Sequence, residues 1–130
     1  MIRSTTTIIL ASCLASADVW TDAFSIEKIS PPPGVDAQIG GLATTPSGNL
    51  AACFHRGELF IYNPKEDTWK QFASGLHEPL GILAESDSSF LVMQRPELTR
   101  VSDTDGDGIG DLYQTVFDDF GMTGNYHESV

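Results

Sequence analysis

The sequence predicts an all-β fold built from two consecutive four-stranded units. Segments recur at a spacing of 40 residues, so that 41–42 match 81–82 and 50–53 match 90–93. Each repeat holds four short apolar or β-branched runs, and 12 glycines and 7 prolines favour turns between them over long helices. Four strands in about forty residues is the length of a propeller blade. We therefore expect a partial β-propeller, with about two antiparallel blades plus the start of a third; a β-sandwich with an accidental repeat is the alternative.

Residues 1–17 have the features of a secretory signal peptide. A short positive start ends at Arg3, an apolar run covers 8–14, and Ala15-Ser-Ala17 fits a small-residue cleavage site. The apolar run is too short to span a bilayer, so no transmembrane helix is expected. The protein is predicted to be secreted or periplasmic. A lipoprotein with Cys13 as its lipidated residue is the alternative.

Residues 18–36 form a lead-in to the repeats. Within it, Phe24–Ile29 alternates apolar and polar residues, which predicts a strand. The prolines at 31–33 and Gly34 then end that strand and favour a stiff connector.

The first blade is predicted over residues 37–76. Turn residues at 46–48, 55–57 and 63–67 separate its strands. The four predicted strands are 41–45, 49–54, 58–62 and 69–74. Cys53 lies in the second of these, where a small buried side chain is expected rather than a nucleophile or ligand.

The second blade is predicted over residues 77–123. Its four predicted strands are 80–85, 89–93, 98–102 and 112–117. The repeat spacing changes from 39 residues at Glu58/Glu97 to 43 at Trp69/Leu112, which predicts four extra residues in the connection between the last two strands. Residues 124–130 are expected to begin a third blade, so we expect further blades in a longer protein.

That connection carries the acidic sequence Asp103-Thr-Asp-Gly-Asp-Gly-Ile-Gly-Asp111. Alternating carboxylates followed by glycine are typical of calcium loops, because calcium takes six to eight oxygen ligands at flexible spacing. The flanking segments have strand rather than helix character, which predicts a metal-clipped strand connection with a structural calcium ion. By the EF-hand template the ligands are Asp103, Asp105, Asp107, the Ile109 carbonyl, Asp111 and Gln114, the last standing where the template has a bidentate glutamate. A solvated acidic turn is the alternative.

Blade topology predicts which polar residues gather around the axis. The repeat aligns Gln38, His77-Glu78 and His127-Glu128, each before an innermost strand. The turns between second and third strands add His55-Arg56 and Gln94-Arg95 at the same end. Histidine titrates near neutrality and suits proton transfer. We therefore expect a substrate or cofactor face formed by His127, His77, Glu78, Arg95 and Gln38.

The charge excludes one class of partner. With 7 Lys and Arg against 18 Asp and Glu, the formal net charge is −11. Binding to nucleic acid requires clustered cations for the phosphates, so no nucleic-acid partner is expected.

Residues 35–130 also resemble a known family, on the segments 36–42, 46–50, 56–64, 75–82, 94–100, 103–108 and 124–128. These segments are similar to the start of secreted β-propellers related to the soluble dehydrogenases for glucose and sorbosone that depend on pyrroloquinoline quinone (PQQ). Many of these propellers belong to large multidomain proteins of the membrane-bound dehydrogenase type, with a C-terminal c-type haem domain.

The resemblance implies a sugar or alcohol dehydrogenase whose cofactors are Ca²⁺ and PQQ. His127 stands where the glucose dehydrogenases have their general base, whereas His77-Glu78 replaces a sugar-contacting glutamine. The cations that hold the quinone would come from later blades, and Cys-x-x-Cys-His is absent from the sequence, so no haem site is expected in this stretch. The implied partners are the substrate, the remaining blades and a haem domain, and the 130 residues alone are expected to be inactive.

Two other functions fit the same residues. A non-catalytic propeller would bind polysaccharide or a partner domain with no redox cofactor. A glycosidase-associated module would use two carboxylates, such as Glu78 and Glu128, on either side of a glycosidic bond.

Overall fold

The computed structural model of the chain describes residues 24–95 and 97–121. Over these residues it contains strands and no helix. The strands are β1 (Ile39–Thr44), β2 (Leu50–Phe54), β3 (Leu59–Asn63), β4 (Thr68–Ala73), β5 (Gly81–Ala84), β6 (Ser89–Met93), β7 (Leu98–Ser102) and β8 (Leu112–Phe117). In the described part of the chain, no helix is long and apolar enough to cross a membrane.

The strands form two antiparallel sheets, each a meander of four consecutive strands. The order is β1-β2-β3-β4 in the first sheet and β5-β6-β7-β8 in the second. The predicted all-β fold with two four-stranded blades is thus confirmed, and each of the eight strands predicted within the blades overlaps an observed one. The predicted start of a third blade, 124–130, lies outside the described residues.

The strand predicted at Phe24–Ile29 is wrong. Residues 24–30 have no regular secondary structure. The chain divides into two compact units, Met1–Ser30 and Pro31–Val130, and both sheets belong to the second. Alternation alone does not make a strand, because its backbone groups also need a neighbouring strand to bond to.

The pairing register confirms the internal repeat and corrects one part of it. Gly41 pairs with Cys53 in the first blade, as Gly81 pairs with Met93 in the second. In the outermost strands, however, Tyr62 pairs with Trp69 as Val101 pairs with Tyr113, so the spacing there is 44 residues rather than 43. The acidic connection therefore holds five extra residues instead of four. The ladders of both outermost strands are also irregular at matching places, between Leu59/Phe60 and Leu98/Thr99.

The innermost strands β1 and β5 approach each other backbone to backbone. A Cβ built on Gly41 would lie 3.1 Å from the Gly81 Cα, and one on Gly40 would lie 1.8 Å from the Pro79 carbonyl oxygen. A side chain at Gly40 would collide with that oxygen, and one at Gly41 would require the neighbouring backbone to shift by a few tenths of an ångström. Glycine therefore allows the two blades to meet at their inner strands, as blades around one axis do.

The core lies between the two sheets. Its first side comprises Ala51, Leu59, Phe72, Ala73 and Leu76, and its second comprises Phe90, Val92 and Val101, all buried. The rings of Phe72 and Phe90 meet edge to face at 4.9 Å between centroids. Such a pair contributes about 0.5–1.5 kcal/mol beyond the burial of its area. The hydrophobic effect thus holds the blades together face to face.

Candidate metal loop and axial cluster

The two predicted sites lie at opposite ends of the blades. In an antiparallel meander, successive connections fall at opposite ends, so the first and the third lie at the same end. The β7–β8 connection, which is the acidic loop (103–111), lies at the end where β5 meets β6, and the Asp103 amide donates to the Ser88 carbonyl there at 2.9 Å. The segment before β5 and the β2–β3 and β6–β7 turns lie at the other end, so the acidic loop is remote from His77, Glu78 and Arg95.

Three carboxylates of the acidic loop come together. One oxygen from each of Asp103, Asp105 and Asp107 lies within 4.8 Å of the others. Both oxygens of Asp103 accept backbone bonds, from the Gly106 amide at 2.7 Å and the Gly108 amide at 2.8 Å. The loop thus curls around the Asp103 side chain, and Gly106 and Gly108 have positive φ of 83° and 81°. Hard carboxylate oxygens in such a turn match the donor set that calcium prefers.

The other predicted ligands are not part of this group of three. The carboxylate of Asp111 accepts from Thr104 through both oxygens, from the amide at 2.9 Å and from the hydroxyl at 2.7 Å. Gln114 lies within β8, paired with Arg100. The Ile109 amide donates to Asp107 Oδ1 at 2.7 Å, and the Ile109 side chain is half exposed. The carboxylates that the structure clusters are therefore Asp103, Asp105 and Asp107, without Asp111, while the Ile109 carbonyl and the Gln114 side chain stay predicted ligands.

Hydrogen bonds favour the ionised form of the loop carboxylates. Desolvation by itself would raise the pKa of Asp103, but the amides of Gly106 and Gly108 outweigh it, and the pKa lies below its ordinary value. The hydroxyl and amide of Thr104 lower the pKa of Asp111 in the same way. Both side chains are therefore charged at neutral pH.

The acidic loop is anchored to the first blade as well as to its own. Lys70 Nζ on β4 donates to the Asp107 carbonyl at 2.7 Å, and the Gly110 amide donates to the Phe72 carbonyl at 2.7 Å. Just beyond the loop, the Tyr113 hydroxyl donates to the Ser74 carbonyl at 3.0 Å. The inserted residues therefore bridge the outer strand of one blade to the outer strand of the next.

At the opposite end, Glu78 links the two blades. Its carboxylate lies 3.9 Å from His55 Nε2, in the β2–β3 turn, and 3.6 Å from Arg95 Nη1, in the β6–β7 turn. We call these three residues the axial cluster. Glu78 itself has a positive φ of 45°, a backbone conformation that non-glycine residues seldom adopt and that tends to occur at functional sites.

The turns that carry this cluster repeat the same backbone bonds. The His55 amide donates to the Gln38 carbonyl at 2.8 Å, and the Arg95 amide donates to the His77 carbonyl at 2.9 Å. Gln38 and His77 thus accept equivalent backbone bonds in the two blades, which confirms their predicted alignment. The Gln38 side chain donates to Asp36 at 3.3 Å.

A side-chain network holds the β6–β7 turn in place. The Gln94 side chain accepts from the His77 amide at 2.5 Å and donates to the Thr99 hydroxyl at 2.6 Å. Glu97 accepts from the hydroxyls of Thr99 and Thr115, and these bonds lower its pKa, Thr99 contributing most. Arg95 is thus presented from a turn whose polar groups bond to one another.

The structure brings together only part of the predicted substrate face. Glu78 and Arg95 meet, whereas His127 and Glu128 lie outside the described residues. The sequence places His55 at this end but does not include it in the predicted substrate face, yet it is the first-blade member of the axial cluster. Its spacing of 40 residues from Arg95 is the signal that pairs them.

Comparison with known proteins adds no assignment, because no family model, curated protein or solved structure matches the chain.

Proposed function

We propose that this chain supplies blades to a secreted β-propeller resembling the quinone-dependent sugar and alcohol dehydrogenases. One observation supports the proposal: two blades meet at glycines of their inner strands, with the acidic loop at one end and the charged axial cluster at the other. In this arrangement the acidic loop has a structural role, and the axial cluster forms part of the ligand face.

Calcium is the ion that the loop fits best. Three carboxylates close together offer up to six hard oxygens, and calcium takes six to eight, with water completing the shell. A bound ion would offset the mutual repulsion of Asp103, Asp105 and Asp107 and hold the loop against Lys70 and Phe72. The expected role is therefore to clip the β7–β8 connection, with no part in chemistry.

The calcium proposal is tested by thermal unfolding at increasing calcium concentration. At a hundred times the dissociation constant, binding to the folded state adds about 2.7 kcal/mol of stability. We expect the melting temperature to rise for the parent chain and to stay constant for Asp105→Asn. Asp118→Asn, which removes the same charge outside the loop, is the matched control. An equal calcium response in all three proteins contradicts the site.

At the axial end, the residues of this chain would bind and orient a polyhydroxylated substrate. About 29% of the Glu78 side chain is exposed, so its oxygens can accept hydroxyl hydrogen bonds while His55 and Arg95 hold it in place. His127 is proposed as the base that takes the hydroxyl proton. The quinone, when bound, supplies the acceptor for the hydride.

The redox proposal is tested on a protein that carries the complete ring. It is reconstituted with the quinone and calcium, and dye reduction is followed with a panel of sugars and alcohols. We expect His127→Ala to abolish turnover, and Glu78→Gln to raise KM more than it lowers kcat. Dye reduction that is unaffected by His127→Ala would contradict the dehydrogenase hypothesis.

A second candidate, a non-catalytic propeller that binds carbohydrate, is favoured by the two ion-pair contacts of Glu78. Glu78 already lies against a histidine and an arginine, a pairing that suits recognition better than proton transfer. Calorimetric titration with oligosaccharides would then give heat that Glu78→Gln abolishes, with no dye reduction under any condition.

A further inference from the structure

Each blade presents one face to its neighbour and one face away from it, and the register identifies both. Cross-strand partners share a face, and successive residues alternate. In the second blade, Ile82, Phe90 and Val101 face the first blade and belong to the core. The opposite face of the second blade carries the apolar residues Leu83, Leu91, Met93, Leu98 and Phe117 together with the polar residues Ser89, Arg100, Ser102 and Gln114, and we call it the tail face.

The five apolar residues of the tail face are all at least partly exposed. Leu83 is 59% exposed and Phe117 is 46% exposed. Its repeat equivalents in the first blade are Ala43, Ala51, Cys53, Leu59 and Ala73, the face that packs against the second blade. By the repeat, the tail face of the second blade therefore corresponds to the face of the first blade that already forms the interface between the blades.

The first blade also has a face that corresponds, by the repeat, to the second-blade side of that interface. Leu42 and Leu50 stand one repeat before Ile82 and Phe90, the residues with which the second blade contacts the first. Leu42 is 54% exposed. We call Leu42, Leu50 and Phe60 the head face, since Phe60 shares this side of the sheet with Leu42.

Gly81 gives an independent indication that something packs on the tail face. At its equivalent, Gly41, a Cβ would lie 3.1 Å from the Gly81 backbone, a contact tighter than most real Cβ atoms make, so the close neighbouring blade favours glycine there. At Gly81, the nearest atom to a built Cβ is Met93 Cβ at 3.5 Å, an ordinary contact, and no positive φ is required. The described structure therefore leaves room for alanine at Gly81, whereas at the equivalent Gly41 the neighbouring blade leaves little room for a side chain.

We propose that a second copy of this chain occupies the tail face through its head face, continuing the interface between the two blades. The contact is heterologous, so it repeats until the ring closes. Because propellers close with about four to eight blades, about two to four copies of the two blades in the described residues would complete the ring. Arg100 also lies on the tail face, but its charge is neutralised by Glu85 at 2.6 Å, so no isolated charge is buried. The inference rests on the propeller architecture of the proposed function and is independent of calcium and the quinone.

The test uses two variants of the full chain, Leu83→Glu on the tail face and Leu42→Glu on the head face. Both side chains are more than half exposed, so both variants should fold, which circular dichroism checks. Light scattering coupled to gel filtration should give a discrete mass of two to four chains for the parent protein and a monomer for each variant. An equimolar mixture of the variants keeps one intact head and one intact tail, so it should form a heterodimer.

Several results overturn the proposal. They are a monomeric parent protein, continuous growth in mass with concentration, or an assembly that Leu42→Glu leaves intact, which would mean tail-to-tail contact. Gly81→Ala provides the finer measurement: we expect an unchanged melting temperature in dilute protein and self-association weakened roughly tenfold or more, as overpacking of an interface predicts. Self-association unaffected by Gly81→Ala also contradicts the proposal. A loss of the calcium response with intact assembly would instead count against the metal loop alone.

Discussion

At the residue scale, the strongest constraint is burial between the blades. Phe72 and Phe90 are at most 1% exposed, and their rings fill the space where the sheets meet. Phe72 also falls where the β3–β4 ladder is irregular, so the register alone does not fix its direction. The sequence predicts β4 here, but the local pattern does not single out Phe72 as the residue that reaches across to the next blade.

We expect Phe72→Ala to lower the free energy of unfolding by about 3–5 kcal/mol, because it leaves a cavity in the core. Phe117→Ala, on a side chain that is 46% exposed, is the control of the same chemistry and should cost much less. Urea denaturation of dilute protein measures both. Equal losses would mean that Phe72 does not lie between the blades.

Cys53 shows how a residue predicted to be structural can be checked. It is fully buried, and desolvation raises the pKa of its thiol to about 11. The thiolate, which is the nucleophilic form, is therefore scarce at pH 8. We expect Cys53 to react with iodoacetamide only after unfolding, with mass spectrometry as the readout, and rapid labelling of the native protein would contradict its burial.

Glu97 predicts a particular dependence of stability on pH. Its folded-state pKa lies below the ordinary value of 4.5, since hydroxyl bonds from Thr99 and Thr115 favour the carboxylate. Its contribution is therefore fully present above the unfolded pKa and is lost as the pH falls through the folded pKa. Below pH 4.5 we expect Glu97→Gln to flatten the decline of melting temperature with pH. Glu66→Gln, in an exposed turn, is the charge-matched control and should leave the slope unchanged.

At the element scale, most of the fold could be predicted, because its signals are local. Alternation and turn residues define all eight strands, and their observed ends lie close to the predicted ones. The register of β8 is the exception: the repeat spacing there is 44 residues rather than the predicted 43, since the pairing depends on how the acidic loop packs against Phe72. The false strand at Phe24–Ile29 has the opposite cause, a good pattern without a partner strand.

The candidate sites could likewise be predicted only in part. The sequence predicts the strand order, and the strand order puts the acidic loop and the axial cluster at opposite ends of the blades. The joining of His55 to Glu78 depends on how one blade sits against the other, which a repeat in one dimension does not specify. Likewise the turning of Asp111 towards Thr104 depends on local hydrogen bonds that the calcium template does not contain.

The packing of the acidic loop gives a prediction for Gly110. A Cβ there would lie 2.7 Å from Val101 Cγ1 and 3.0 Å from Phe72 Cε1, both of them packed core side chains. We expect Gly110→Ala to destabilise the fold by about 1–3 kcal/mol, through overpacking. Gly121→Ala, where nothing lies within 4 Å of the built Cβ, should be neutral. Chemical denaturation compares them, and a neutral Gly110→Ala would place the loop away from Phe72.

At the scale of the whole molecule, everything depends on how the two sheets meet. In a stacked sandwich, facing sheets lie about 10 Å apart. In blades around an axis, the inner strands converge, and here the Gly41 and Gly81 backbones lie almost in contact. This convergence puts the axial cluster at one end and the acidic loop at the other, and it leaves the tail face open for the next blade.

The most direct test is an NMR measurement of proximity between the inner strands. In a NOESY spectrum of isotope-labelled protein, we expect cross-peaks between the α protons of Gly41 and the backbone protons of Gly81 and Ile82, because these backbones lie almost in contact. Cross-peaks within the β1–β2 pair serve as the internal reference for a folded first blade. If that reference is present and the Gly41–Gly81 contacts are absent, the two sheets do not converge, and the blade arrangement is wrong.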